Sequence, residues 1–313
     1  GIHQIAISEA GGQQAFEQRP NYVHYCEPLS PLVSTFEALD KLVFAARKRI
    51  PLVFTPCPLA GGTAPLTAAG IITQGAAESW MGLTIAQQIQ PGLPFIMGGV
   101  FSVMDMNAMI LAYGAPELPL MMAGLTELAH YAGLPLWQTG GCTDSKTFDE
   151  QAMIEGSMSV FFSALTGGDL CHDVGYTESA MTGSVFQLAA MDEAIGYARR
   201  ITRGIEVNED TLATDAIHKV GPNGHYLREE HTRRYYKNEF WYPNLCDRRN
   251  FEEWDMMGRK SLQDRTVARV RDILASHEPA SLKEGTEEVI QRVLEEAEDR
   301  VKQDWWQDRE MAD

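Results

Sequence analysis

The stretch Asp169-Leu170-Cys171-His172-Asp173-Val174-Gly175-Tyr176 sets an imidazole, a carboxylate and a phenol next to one another. Such groups can hold a proton, or hold a cation between a carboxylate and a ring face. Leu170 and Cys171 read as a short buried strand that ends in a turn, so the polar groups arrive where the strand stops. In parallel α/β architectures the carboxyl ends of the strands build the active site. The plainer alternative is a strand end that caps the next helix through Asp173 or Thr177.

Elements able to position these residues recur upstream. Four more apolar runs end in turn residues: Tyr22 to Cys26 before Glu27-Pro28, Leu52 to Thr55 before Pro56, Phe95 to Met97 before Gly98-Gly99, and Leu136 to Thr139 before Gly140-Gly141. Each is short and apolar on both faces, which suits a parallel sheet covered on both sides. Helical periodicity fills the gaps. Phe36, Leu39, Val43 and Ala46 share a face, and Phe148 to Leu165 reads as one amphipathic helix. Ile71, Gly75, Ser79 and Gly82 make a close-packing stripe. Met104–Tyr113 and Pro116–Tyr131 read as two helices split by Gly114-Ala115. Ile2 to Ala10 reads as a helix closed by Gly11-Gly12, with no strand before it. This alternation predicts an α/β fold, a TIM-barrel type or doubly wound parallel sheet with outer helices.

The 313 residues and 44% hydrophobic content supply a sizeable core. A net charge of −17 argues against nucleic acid or an anionic membrane as partner. No run of about 18 apolar residues and no basic leader occurs, so a cytoplasmic protein is expected. Cys26, Cys57, Cys142, Cys171 and Cys246 are scattered and odd in number, which predicts reduced thiols. No Cys-x-x-Cys or His-x-x-x-His pair is present, so no metal site is expected.

Beyond residue 178 the pattern turns helical, from Val185 to Ile201 and onward. The aromatic and basic cluster from His231 to Tyr236 and Phe240 to Tyr242 predicts helix packing beneath the sheet, or a lid. An acidic tail helix shows Val289, Val293, Ala297 and Val301 on one face, with Glu288–Arg292, Glu296–Arg300 and Glu298–Lys302 as i,i+4 pairs. The expected organisation is a barrel portion over 1–178, a helical part of the same domain over 179–277, and a tail over 278–313.

Taken in order, the strand ends form a longer pattern. Glu27-Pro28-Leu29-Ser30-Pro31, Ala60-Gly61-Gly62-Thr63-Ala64-Pro65, Gly98-Gly99-Val100, Tyr113-Gly114-Ala115-Pro116-Glu117, Gly140-Gly141-Cys142-Thr143-Asp144, His172-Asp173-Val174-Gly175-Tyr176 and Arg203-Gly204-Ile205-Glu206-Val207-Asn208-Glu209 follow one another. From Ile2 to about His277 this resembles the trimethylamine methyltransferase superfamily, the corrinoid-dependent methyltransferases. The lack of a pyrrolysine makes the chain similar to the glycine betaine branch. The resemblance implies an incomplete TIM barrel, holding the last five of eight strands, with a helical C-terminal extension. It implies transfer of a methyl group from a quaternary or tertiary amine to cobalamin on a separate corrinoid protein, and a homo-oligomer.

The resemblance and the chemistry together nominate residues. A methylated ammonium has no donors and is recognised by aromatic faces and carboxylates. His172, Asp173 and Tyr176 are the candidate catalytic residues. Tyr25, Glu27, Phe101 and Trp137 are the candidate substrate-binding residues. Gly98, Gly99, Gly140 and Gly141 are the candidates for corrin approach, the alternative being tight βα turns. Two rivals stand beside this reading: another TIM-barrel enzyme with His172-Asp173 as base or ligand, and a non-catalytic relative that binds a corrinoid protein.

Overall fold

The computed structural model describes residues 1–302. Helix α1 (Ile2–Ala10) ends at Gly11, whose φ of 91° is a left-handed cap open to glycine. Helix α2 (Gln13–Gln18) buries Phe16 and leads to β1 (His24–Cys26). Thr35 caps α3 (Phe36–Arg47) by accepting the Ala38 N–H, and the chain enters β2 (Leu52–Phe54). After β3 (Leu59–Ala60), Thr67 caps α4 (Ala68–Ile89), which returns the chain to β4 (Phe95–Gly98).

A correction follows. Residues 104–113, expected as a helix, form the antiparallel hairpin of β5 (Ser102–Asp105) and β6 (Ile110–Ala112). The Asp105 carboxylate accepts the N–H groups of Asn107 and Ala108, each at 2.8 Å, and Met109 takes φ 56°. Local side-chain capture of backbone donors favours a turn over a helix. β5 also pairs in parallel with β3.

Helix α5 (Glu117–Tyr131) leads to β7 (Leu136–Thr139). Asp149 caps α6 (Glu150–Thr166), and β8 (Leu170–His172) follows. A small ribbon, β9 (Tyr176–Thr177) with β10 (Thr182–Gly183), precedes α7 (Val185–Thr202).

The main sheet has the order β1-β2-β4-β7-β8, parallel throughout. Side chains alternate along each strand. Cys26, Leu52, Phe54, Phe95, Met97 and Leu136 face the helices and are buried in the core. α4 comes close to this layer because Gly82 leaves room for the Phe54 ring, 2.7 Å from where a Cβ would stand. Tyr25, Val53, Ile96, Trp137 and His172 occupy the other face. That face is concave: the sheet is an α/β half-barrel, an incomplete TIM-barrel type fold. β8 is an edge strand, not the buried one expected, and Leu170 is 42% exposed.

The remaining helices are α8 (Glu209–Leu212), α9 (Thr214–Val220), α10 (Glu230–Glu239), α11 (Phe251–Met256), α12 (Leu262–Ser276) and α13 (Thr286–Lys302). α10 buries none of its residues, and Tyr236, Phe240 and Tyr242 are exposed, so the expected packing beneath the sheet does not occur. α13 returns to α1, with Thr286 bonded to Ser8 and Glu296 facing Arg300 at 3.8 Å. The side chains of Val301 and Lys302, and residues 303–313 of the expected tail, lie outside the described residues. Among the described residues no helix is long and apolar enough to cross a membrane.

Candidate functional site

The site grows out of the sheet's curvature. β1 and β8 are four strand spacings apart, roughly 19 Å in a flat sheet at about 4.8 Å each. Yet the rings of Tyr25 and His172 lie 6.5 Å apart, centroid to centroid. The Trp137 ring lies 5.4 Å from His172. Three ring systems therefore converge over the concave face near the strands' carboxyl ends.

His172 is held from both nitrogens. Its Nδ1 lies 2.9 Å from Asp173 Oδ1, and its Nε2 lies 2.9 Å from Thr139 Oγ1. The Thr139 hydroxyl spends its one hydrogen on the Gly99 carbonyl at 3.0 Å. The same hydroxyl thus links the imidazole to the backbone of the β4 end. The ring is therefore fixed between a carboxylate and a hydroxyl. Asp173 reaches back through a φ of 65°, a left-handed conformation costly for a residue with a Cβ and a recurrent mark of functional positions.

Glu27 stands on the β1 side of the same cluster. It accepts the Tyr25 hydroxyl at 2.9 Å. Burial, with the neighbouring Cys57 and Glu27, pushes the Tyr25 phenol far above its ordinary range. Burial and Glu27 do the same to the Cys57 thiol. Both groups stay protonated, the phenol donating to Glu27 and the thiol to the Thr55 carbonyl at 3.8 Å. Glu27 in turn sits on a loop fixed by Glu78, which is 2% exposed and accepts Ser30 Oγ at 2.7 Å and the Leu32 N–H at 2.8 Å.

Glu27, Tyr25, Trp137, His172 and Asp173 thus come together. The other nominated residues do not. Phe101 is fully buried, its ring filling the gap left by Gly75 of α4, and belongs to the core. Tyr176 stands on the β9–β10 ribbon, outside the group of three rings, and its N–H donates to the Asp173 carbonyl at 3.2 Å. Gly98, Gly99, Gly140 and Gly141 are buried against other atoms: the Thr55 hydroxyl, Leu125 and Phe101, the Ser159 backbone and Cys171, and Val174. Packing explains their missing side chains, and they do not form a bare seat for a flat ring.

Thr55, Cys57, Tyr113, Thr139 and Cys142 belong to the cluster without having been singled out. Thr139 and Thr55 were findable, since Thr139 closes β7 and Thr55 follows β2 directly. Tyr113 was hidden by the helical reading of its hairpin. Burial and Asp173 push up both the Tyr113 phenol and the Cys142 thiol. An apolar cleft of about 510 Å³, lined by Leu188, Ile195, Val270 and Ile273, opens elsewhere between α7 and α12.

The arrangement offers ring faces and a carboxylate to a cation, with neutral donors behind them. Among the described residues no group of three or more side chains has metal-ligand geometry.

A family model described as trimethylamine methyltransferase matches residues 4–301. The chain is 34% identical over 280 residues to a glycine betaine methyltransferase of Desulfitobacterium hafniense, covering 89% of this chain and 58% of that protein. It is 31% identical over 298 residues to a trimethylamine methyltransferase of the same species, covering 95% and 60%. A trimethylamine methyltransferase of Methanosarcina barkeri is 29% identical over 291 residues, covering 92% and 58%. The chain spans about three-fifths of the length of these curated relatives.

Proposed function

The chain belongs to the trimethylamine methyltransferase family, and from that membership we propose that it takes part in moving a methyl group from a quaternary or tertiary amine, such as glycine betaine, to a corrinoid carried on a separate protein. One observation supports the reading above the others. The Tyr25 and Trp137 rings lie 6.5 Å and 5.4 Å from the His172 ring, beside a carboxylate held by Tyr25. Ring faces and an anion are what a methylated ammonium requires.

In this reading the amine's charge rests between the Tyr25 and Trp137 rings, with Glu27 opposite. The C–N bond breaks with its electron pair leaving on nitrogen. A quaternary ammonium then departs as a neutral tertiary amine, and no general acid is needed. The protein's work is to bind, to align one methyl, and to keep water out. His172 is tied at both nitrogens, so it acts as a fixed wall and not as a proton carrier. The corrinoid is the second substrate, and its reduced cobalt supplies the electron pair for the new bond to carbon. This chain's glycines give it no seat.

The test supplies the enzyme with glycine betaine carrying labelled methyl groups and with a reduced corrinoid protein. The expected result is label on cobalt and one equivalent of demethylated amine. Absence of transfer from every methylated amine offered, with a corrinoid protein that accepts methyl from another enzyme, overturns the proposal.

A further inference from the structure

The geometry points to Tyr113 as a further substrate-facing residue of this site, with Asp144 as the residue that positions it. The inference rests on the cation-binding reading above and extends it to a residue outside the main sheet.

Tyr113 follows β6, on a hairpin that does not belong to the half-barrel. Its ring packs on the core that contains Phe101 and Leu118, while its phenol makes a polar contact with Asp173. A hairpin end is not a firm mount by itself. Here it is clamped. One Asp144 oxygen accepts the Tyr113 N–H at 2.8 Å, and the other accepts the Gly114 N–H at 2.8 Å. Asp144 also accepts the Ser179 hydroxyl at 2.7 Å.

Asp144 is itself held. Its N–H donates to Glu155 of α6 at 2.9 Å, and the neighbouring Thr143 hydroxyl donates to the same oxygen at 2.5 Å. The Glu155 carboxyl fills the space beside Gly114, where a Cβ would stand 2.3 Å away. The Ser179 side is strained. Glu178, Ser179 and Ala180 have φ values of 54°, 51° and 68°. Three consecutive left-handed residues are costly, and the surroundings must hold them. The N–H groups of Glu178 and Ser179 donate to the carbonyls of Ser145 and Thr143. The loop after β7 thus fastens the hairpin bearing Tyr113 to the segment that follows Asp173. The clamp holds the Tyr113 backbone beside the strand end that carries Asp173, the group its phenol meets.

The experiment uses the chain with tyrosines labelled at Cζ by carbon-13, titrated with tetramethylammonium chloride. Tyr25 and Tyr113 are assigned by the resonances lost in Tyr25→Phe and Tyr113→Phe. Both resonances are expected to shift with one common Kd. Asp144→Asn is expected to abolish the Tyr113 shift, keep the Tyr25 shift, and weaken binding about tenfold, with Ser179→Ala as a milder version should Asp144→Asn fail to fold. A Tyr25 shift without a Tyr113 shift overturns the assignment of Tyr113. A Tyr113 response unchanged in both variants overturns the role of Asp144. Silence of both tyrosines overturns the inference together with the cation reading beneath it.

Discussion

The rings of Tyr25 and His172 stand on opposite edge strands of a five-stranded sheet, and their centroids are 6.5 Å apart. A flat sheet would hold those strands roughly 19 Å apart. Curvature therefore makes the site, and anything that flattens the sheet should weaken it before the core melts.

Truncating a ring of the cluster should weaken capture of a methylated cation. Tyr25→Ala and Trp137→Ala are each expected to cost about 1–2 kcal/mol, the worth of a partly desolvated cation–π contact. That is roughly 5- to 30-fold in affinity. Tyr176→Ala should cost less, because its ring stands on the β9–β10 ribbon and not among the rings of Tyr25, Trp137 and His172. Calorimetric titration with tetramethylammonium checks the order. A Tyr176 effect equal to that of Tyr25 would reverse it.

Gly75→Ala should destabilise the fold despite alanine's better helix propensity. The propensity gain is about 1 kcal/mol. The new Cβ would stand 2.1 Å from the tip of the fully buried Phe101 ring. Overpacking of that kind costs about 1–3 kcal/mol, so we expect a net loss of about 1 kcal/mol in denaturant unfolding. A gain in stability would show that the Phe101 ring has room to move.

Glu78→Ala should loosen the loop that carries Glu27. It removes the acceptor of Ser30 and Leu32 in a site closed to water. Losing charge-assisted bonds and stranding their donors costs about 2–4 kcal/mol. Hydrogen exchange over residues 28–34 should rise well beyond that of β2. Unchanged protection there would remove Glu78 from the account.

Acid should weaken the N-terminal packing. Burial, followed by the Lys48 charge, lowers the pKa of His3, and burial and Lys41 lower that of His24. Both start from an unfolded value of 6.5. The unfolded chain therefore binds more protons below that pH. The contribution of these residues is complete above about pH 6.5 and is lost as pH falls through the lowered folded values. Melting temperature should drop between pH 7.5 and 5.5, and His24→Gln should make the drop smaller. An identical drop in that variant would assign the effect to other groups.

Much of the half-barrel was legible because its signals are local. Most of the strands are apolar runs stopped by Pro or Gly, and His172-Asp173 stands where the last run ends. What was hidden depended on distant partners. Phe101 looked like a rim residue after Gly98-Gly99, but Gly75, far away in sequence, takes its ring. Met104 to Tyr113 carries helix-forming residues, and the Asp105 side chain, the pairing with β3 and the distant Asp144 turn it into a hairpin. The exposure of Leu170 reflects the position of β8 at the sheet edge, which no single run of residues reveals. Beside the glycine pairs, Ser159, Leu125 and Val174 fill the space where side chains would stand.

The central claim is that the concave face between Tyr25 and Trp137 holds a methylated ammonium. The most direct measurement is the nuclear Overhauser effect between N-methyl protons of bound tetramethylammonium and assigned ring protons of the protein. The account predicts cross-peaks to Tyr25 and Trp137 and their loss in Tyr25→Ala. Binding that gives cross-peaks only to the distant pair Tyr197 and Trp241, or to no aromatic ring at all, would contradict it.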